Sequence, residues 1–514
     1  MTVKAEVEVA AAHYTPASLD AFRGNPLIEA LPDFLEVRPT EIFRRLALKP
    51  APIALQSSRR QRAQWLMNVT VHCFIPVVRH MELYDIVDLM IRQGYLHRAP
   101  GIGPQYFDDA QERFAAEAKL KGYAQSNYHE PLSTSVIGCS GIGKTCGVLR
   151  VLSLYKQVID HKPPFVPEPI RQVVYMKVET PGTVKALCAS IITELGRLTG
   201  MPYADQYVKN RATLESLQSR VVYLMSLHRV GILVLDEMQN LVIKHKNRDE
   251  IFNFIVYLSN ALDVPLLFIG TPKLMRFMCA NLRTARRFGS FGIARWERYE
   301  KGSADWKNFI RELWHYQVLQ DNPPQMPSNV EDALYRSSQG IVDILMKLFI
   351  LSQMKAIQKY CERKSEKEEL TPALIEEVFQ KELGNVAPMI EALRNGDSKA
   401  IERYEDIAVP QDAYQNAARK TYAEIEQATE DMPEERQAEE AMHELDRRLE
   451  TLREVASPEL RALLNELIEQ GVTSENILLA LAREPKTEDG GKAEASGSGM
   501  TLSEDFSPQQ GGIE

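Results

Sequence analysis

Nothing in the sequence approaches the uninterrupted run of roughly 18 apolar residues that a membrane-spanning helix needs, so a membrane is not expected among its partners. The opening stretch, MTVKAEVEVAAAHYTP, places Glu6 and Glu8 where a secretory signal would need an apolar segment, and a cytoplasmic location is expected. Cysteine is scarce and scattered. Cys73, Cys139, Cys146, Cys188, Cys279 and Cys361 form no CxxC pair and no cluster with histidine, which argues against a zinc site or a disulfide framework and leaves free thiols as the expectation. No helix-turn-helix, zinc-finger or RNA-recognition signature is present, so base-specific reading of a nucleic acid is not expected.

What is present is an ordinary globular composition, 44% apolar and 25% charged, in a chain of 514 residues long enough for two or three domains. The net charge of −9 hides an asymmetry. Residues 401–514 hold 11 Lys+Arg against 27 Asp+Glu, a net −16, whereas the first 400 residues are net +7. A mildly basic body can approach DNA while an acidic tail is offered to a protein, although charge alone identifies neither partner.

Periodicity divides the chain further. Residues 1–130 read as a mostly helical N-terminal region, with apolar positions three and four apart in QRAQWLMNVTVHCFIPVVRHMELYDIVDLMIRQGY. Over 131–303 the pattern changes to short apolar, β-branched runs (STSVIGCS, QVVYMKVET, VGILVLDE, VPLLFIGT) alternating with helical segments. This predicts an α/β core with a parallel sheet flanked by helices. Residues 304–396 read as a helical lid and 397–485 as an acidic helical region. There Met442, Leu445, Leu449 and Leu452 recur at a/d-like spacing for too short a distance to make a coiled coil. The Gly-, Ser- and acid-rich stretch 486–514 is expected to be disordered.

The chemistry concentrates in the core. Gly138, Cys139, Ser140, Gly141, Ile142, Gly143, Lys144 and Thr145 fit GxxxxGK[ST] between an apolar strand and a helical run that continues through Cys146. Glycines let backbone N–H groups wrap phosphates, Lys144 can reach the β- and γ-phosphates of ATP, and the Thr145 hydroxyl can ligate Mg²⁺. The strand GILVLDE ends in two adjacent carboxylates 92 residues after Lys144. Asp236 is expected to hold Mg²⁺ and Glu237 to polarise the attacking water, a pairing that favours hydrolysis over nucleotide sensing alone. Thr271 closes the next apolar strand and is the candidate polar sensor beside the loop, although Thr-Pro is also ordinary turn chemistry. Of the arginines in LRTARRFGSFGIARWERY (Arg283, Arg286, Arg287, Arg295, Arg298), Arg286 and Arg287 are the better candidates for a cation supplied across a subunit boundary, and at least two of the five are expected to be ordinary surface residues.

The order of several segments resembles the TnsC family, AAA+ regulators of Tn-seven-like transposons, related more distantly to TniB and IstB-type ATPases. The segments are FRGNPLIEALP, RRQR, MIRQGYLHRAP, GCSGIGKT, VVYMKVETP, ILVLDEMQNL, FIGTPK, SQGIVDILMKLF, TPALIEEVF and APMIEAL, spanning about residues 20–410. The resemblance implies an AAA+ P-loop fold and ATP-dependent assembly of a homo-oligomer, as a ring or helical filament, on duplex DNA. It further implies that the N-terminal region meets a target-selector protein and the C-terminal region the transposase subunits. One departure is the lid helix. Many AAA+ proteins carry an arginine where this chain reads Gly340-Ile341-Val342-Asp343, and slow, regulatory hydrolysis is therefore expected.

By the same resemblance Thr183 and Lys185, opening the helix after the second strand, are candidates to face DNA, with Lys244 and Lys246 a second possibility. Contacts there would be electrostatic and indifferent to base sequence, and solvated lysines are an equally ordinary reading. Two other function classes compete: a STAND-like signalling ATPase that oligomerises without DNA, and a helicase or clamp-loader-like motor. The second would require translocation modules that the sequence does not show.

Overall fold

A computed structural model describes residues 7–33, 37–96, 98–100, 132–208, 212–240, 248–279, 289–397, 400–401, 411–430, 445, 449, 452–453, 456–469, 472–474 and 476–478. A short strand, β1 (Val9–Ala11), precedes four helices, α1 (Pro26–Glu29), α2 (Pro39–Leu46), α3 (Arg59–His72) and α4 (Val78–Leu96). Prolines open α1 and α2, where a missing N–H costs nothing, and Ser58 with Gln61 closes a capping box at α3.

The core then unfolds in strand–helix order: β2 (Ser133–Gly138), α5 (Lys144–Leu152), β3 (Val158–His161), β4 (Ile170–Val173), β5 (Tyr175–Glu179), α6 (Val184–Thr199), α7 (Leu214–Leu227), β6 (Ile232–Asp236), α8 (Arg248–Leu262), β7 (Leu266–Gly270), α9 (Pro272–Cys279) and β8 (Ile293–Trp296). Five strands form one parallel sheet in the order β5-β6-β7-β2-β8. The apolar run QVVYMKVET, which reads as one strand, is divided: β4 pairs antiparallel with β3 in a second small sheet that β1 joins, and only β5 enters the main sheet. Short, near-continuous apolar runs carry no mark of which sheet they enter.

One face of the main sheet is covered by α6, α7 and α8 through Leu187, Ile191, Val221, Phe254 and Leu258. The other is covered by α5 together with the N-terminal α4, where Val87, Met90, Ile91, Val148 and Val151 meet Val136, Val234 and Leu267. Each such side chain contributes about 1.5–3 kcal/mol on burial, so the N-terminal helices are part of the layer that holds the sheet.

A further group of helices, α10 (Ala304–Trp314), α11 (Ser328–Ser338), α12 (Val342–Cys361), α13 (Pro372–Glu382), α14 (Ala387–Asn395) and α15 (Gln411–Glu430), packs around a shared apolar core, termed the lid below. Its apolar core extends past the expected limits of 304 and 396 in both directions. Ala63, Leu66 and Val69 of α3 enter it, as do Tyr414, Ala418 and Ile425 of α15. An ion cluster fixes α3 there. Arg62 donates to both carboxylate oxygens of Glu368, at 2.7 and 3.2 Å, and to the Val318 carbonyl at 2.5 Å. Arg59 also pairs with Glu368 and lies over the Tyr360 ring, 4.5 Å from its centroid. Burial pushes the Glu368 carboxyl up, but Arg62 and then Arg59 outweigh it and hold the group below its ordinary range.

The first compact unit runs through Met432; the second, Pro433–Glu514, contains α16 (Pro458–Glu469), with Leu449, Leu464 and Ile477 packed together. The stretch 486–514 and Met442 lie outside the described residues.

Burial also sets an acid limit. The His80 ring accepts a hydrogen bond from the Val77 N–H at 2.9 Å and packs edge-on against Trp296. Desolvation, then the Arg79 charge, push it down to about 3 from 6.5. Below pH 6.5 the unfolded chain binds a proton that the native ring does not, so His80 stabilises the fold fully above that pH and loses this contribution as pH falls toward 3. The expected slope is roughly 1.4 kcal/mol per pH unit. His161 and His228, also lowered chiefly by burial, add the same sign. Denaturation midpoints of the parent and of His80→Gln between neutral and mildly acidic pH check this: the parent's stability should fall more steeply, and parallel curves would contradict it.

Candidate nucleotide site

The loop between β2 and α5 carries the phosphate-binding motif. Gly141 and Gly143 have φ of +76° and +90°, a region costly for residues with a Cβ. Gly141 has a second reason to be glycine: a Cβ there would lie 3.1 Å from Ile341 Cγ2 and 3.2 Å from Asp343 Cβ. The lid therefore touches the loop directly, and the Asp343 N–H donates to the Gly141 carbonyl at 2.9 Å. The Lys144 ammonium donates to the Gly138 and Cys139 carbonyls, each at 2.8 Å, which keeps it curled into the loop. Ile142 is buried, Cys139 and Ser140 are half-buried, and Cys146 is exposed on the first turn of α5.

From below, Arg79 of α4 donates to the Ile142 carbonyl at 3.4 Å, and its guanidinium lies 4.8 Å from the centroids of both Trp296 and Tyr299.

At the end of β6 the Thr145 hydroxyl donates to Asp236 Oδ2 at 2.9 Å, and the Lys177 ammonium of β5 reaches the same oxygen at 3.1 Å. Glu237 has φ of +56°, unusual for a residue with a side chain. Asp236 Oδ1 accepts from its N–H at 2.9 Å, and Glu237 Oε2 accepts from Gln239 Nε2 at 2.5 Å. Desolvation, then the adjacent Asp236 carboxylate, push the Glu237 carboxyl up. Gln239 also accepts the Thr271 N–H through its Oε1 at 3.3 Å, so one buried amide ties Glu237 to the end of β7. The Thr271 hydroxyl is buried without a hydrogen-bond partner among the described residues.

The structure thus brings together Lys144, Thr145, Asp236, Glu237 and Thr271, the five core positions singled out in the sequence. Thr183 is the N-cap of α6, accepting from the Ala186 N–H at 3.2 Å, and with Lys185 it is exposed. Arg298 is held within the chain by the Gln339 carbonyl, and Arg295 is exposed. Arg283, Arg286, Arg287, Lys244 and Lys246 lie outside the described residues. Three contributors escape a reading of motifs: Lys177, Gln239 and Asp343. For Lys177 the signal was available, a lysine between the apolar Met176 and Val178 of a strand; for Asp343 the sequence showed only the departure at Gly340–Asp343, and for Gln239 it lies in tertiary contacts alone.

Among the described residues no group of three or more His, Cys, Asp or Glu could hold a metal ion. The Thr145 hydroxyl and Asp236 carboxylate are hard oxygen donors 2.9 Å apart, a set that fits Mg²⁺ shared with phosphate oxygens rather than a cage built by protein alone.

The sheet order, with the loop-bearing β2 between β7 and β8, and this loop meet a match of residues 128–278 to the family model described as the AAA domain. Residues 128–278 thus resemble the AAA domain. With the flanking helices they make an AAA+ P-loop fold. No curated protein matches the chain. Among solved structures it is similar to the Walker-type ATPase of Pyrococcus abyssi, at 12% identity over 63% of this chain and 92% of that one, TM-score 0.35. It is also similar to the ORC1 protein of Aeropyrum pernix in complex with DNA, at 12% identity over 63% and 95% of the two chains, TM-score 0.30. Cdc6p of Pyrobaculum aerophilum aligns at 14% identity over 63% and 89%, TM-score 0.30. Likenesses this distant leave function to the site itself. No helix among the described residues is long and apolar enough to cross a membrane.

Proposed function

We propose that the protein is an ATP-dependent, DNA-binding AAA+ regulator of DNA transposition that oligomerises on duplex DNA and bridges a target selector to the transposase. The observation that carries the nucleotide half is the convergence of Lys144 and Thr145, at the start of the helix after β2, with Asp236 and Glu237 at the end of β6, two parallel strands on either side of β7. The transposition half is supported by the resemblance over about residues 20–410 and by the contrast between the net-positive first 400 residues and an acidic remainder of the sequence.

In this reading the backbone N–H groups of Cys139–Thr145 bind the phosphates of ATP, and Lys144 gives up its two carbonyl partners to pair with the terminal ones. Thr145 and Asp236 would hold Mg²⁺, which when bound neutralises charge on the β- and γ-oxygens. Glu237 accepts the proton of the attacking water, held in place by Gln239, and its raised pKa suits that role. The orphaned Thr271 hydroxyl supplies a donor at the same strand ends. Arg286 or Arg287 is the proposed cation donated across a subunit boundary, and Thr183, Lys185, Lys244 and Lys246 are the proposed phosphate contacts to DNA. The acidic C-terminal region from residue 397 is the proposed docking region for the transposase; within it α15 packs Tyr414, Ala418 and Ile425 into the core around α12.

Lys144→Ala tests the reading. Loss of the charge that meets the β- and γ-phosphates is expected to abolish ATP-dependent binding to duplex DNA while the circular dichroism spectrum stays parental. A variant that still assembled on DNA in an ATP-dependent way would remove the loop assignment.

A further inference from the structure

We propose that Asp343 opposes nucleotide binding: the lid holds this carboxylate against the phosphate loop, and Lys347 sets how much of its charge the loop feels. The inference rests on the assignment of the loop through Thr145 as the nucleotide site. It deepens that assignment by naming a lid residue that reads the ligand's charge.

Asp343 lies in the first turn of α12, and its N–H is hydrogen-bonded to the Gly141 carbonyl at 2.9 Å. The contact is close enough that a Cβ on Gly141 would sit 3.9 Å from Asp343 Oδ2. The carboxylate is therefore fixed within a few ångströms of backbone that would wrap phosphate oxygens, and two anions at that range repel. One helical turn further on, the Lys347 ammonium donates to Asp343 Oδ2 at 2.8 Å.

The pair is asymmetric. The Lys347 side chain is 7% exposed and faces the lid interior, 5.7 Å from the Tyr414 ring centroid, whereas that of Asp343 is 32% exposed. Lys347 thus neutralises the carboxylate from the lid side, at the same oxygen that lies nearest Gly141, so the charge felt at the loop depends on this pair. A nucleotide that adds negative charge at the loop works against the Asp343–Gly141 contact, so ligand binding and lid docking are coupled with opposing sign. A third phosphate is opposed more than a second, which gives the lid a means of distinguishing ATP from ADP. The same lid core contains α3 and α15, so a shift of α12 reaches both ends of the compact unit.

The test is titration of the full-length protein with a fluorescent ADP and a fluorescent non-hydrolysable ATP analogue. Asp343→Asn keeps the shape and removes the charge; it is expected to bind both ligands about 3- to 10-fold more tightly, the scale of one charge about 6 Å away at an effective dielectric of about 40–80. The gain should be larger for the ATP analogue. Lys347→Met keeps the length and removes the neutralising charge, and is expected to weaken binding by a similar factor. The double variant should follow Asp343→Asn. A purely structural role would weaken both single variants; weaker or unchanged binding by Asp343→Asn overturns the proposal. Thermal unfolding without ligand shows whether Lys347→Met folds, and if it does not, the Asp343→Asn titration decides alone. Lys144→Ala is run beside them: were it to bind nucleotide like the parent, the nucleotide-site assignment would fail, an outcome separate from the sign of the Asp343 effect.

Discussion

Replacing Glu237 by Gln is expected to leave ATP bound while slowing its turnover by roughly 10²- to 10⁴-fold, the usual cost of losing general-base assistance. The amide keeps the side chain's shape and removes its ability to take a proton. Phosphate and metal binding are assigned to Lys144, Thr145 and Asp236, so affinity should change little. The site is built for such a separation. Asp236 is buried and shared by Thr145 and Lys177, whereas Glu237 is turned away by its φ of +56° and fastened to Gln239. A left-handed conformation at a residue with a Cβ costs of order 1–2 kcal/mol, and such strain tends to collect where a side chain must be aimed. If ATP signals assembly and hydrolysis signals release, the variant should also persist on duplex DNA. Turnover and lifetime on DNA are to be followed in parallel; parental hydrolysis, or equally fast departure, would take Glu237 out of this role.

The second large effect lies far from the site. Glu368→Ala leaves the guanidinium groups of Arg59 and Arg62 buried without the carboxylate that both of them grip. Breaking a buried ion pair from one side typically costs about 3–5 kcal/mol, because the remaining charge stays desolvated. Here two cations are left, and the loss should reach at least that range in chemical denaturation of the full chain. Docking of α3 on the lid should loosen first. A loss under about 1 kcal/mol, the size of an exposed pair, would mean that the cluster contributes little to holding α3.

Both results bear on how much was legible in advance. The phosphate loop, the Asp-Glu strand and the strand ending at Thr271 were readable because their chemistry requires fixed residue types at the ends of apolar runs, and a parallel sheet sets such ends side by side. The α/β class with its parallel sheet followed from the same alternation, and the AAA+ fold from the resemblance of the ordered segments. The limits of the lid were not readable. In α15, Tyr414, Ala418 and Ile425 supply a modest apolar stripe in an acidic stretch, and whether such a stripe is covered depends on distant partners. The RRQR segment shows the same limit: the sequence displays three arginines, but only tertiary structure places Arg59 and Arg62 in the interior against Glu368, with Arg60 outside near Glu426. Similarly, Val9–Ala11 is too short to announce itself as a strand, and it exists through its pairing with β3.

The central claim is that ATP switches this protein onto DNA, and it is tested most directly by fluorescence anisotropy of a labelled duplex of arbitrary sequence. Full-length protein is added with a non-hydrolysable ATP analogue, with ADP, or with no nucleotide. Tight association with the ATP analogue alone, weakening steeply as salt rises in the manner of phosphate-backbone contacts, is the expected result. Binding that is equal under all three conditions, or nucleotide-driven self-association that ignores the duplex, would contradict it.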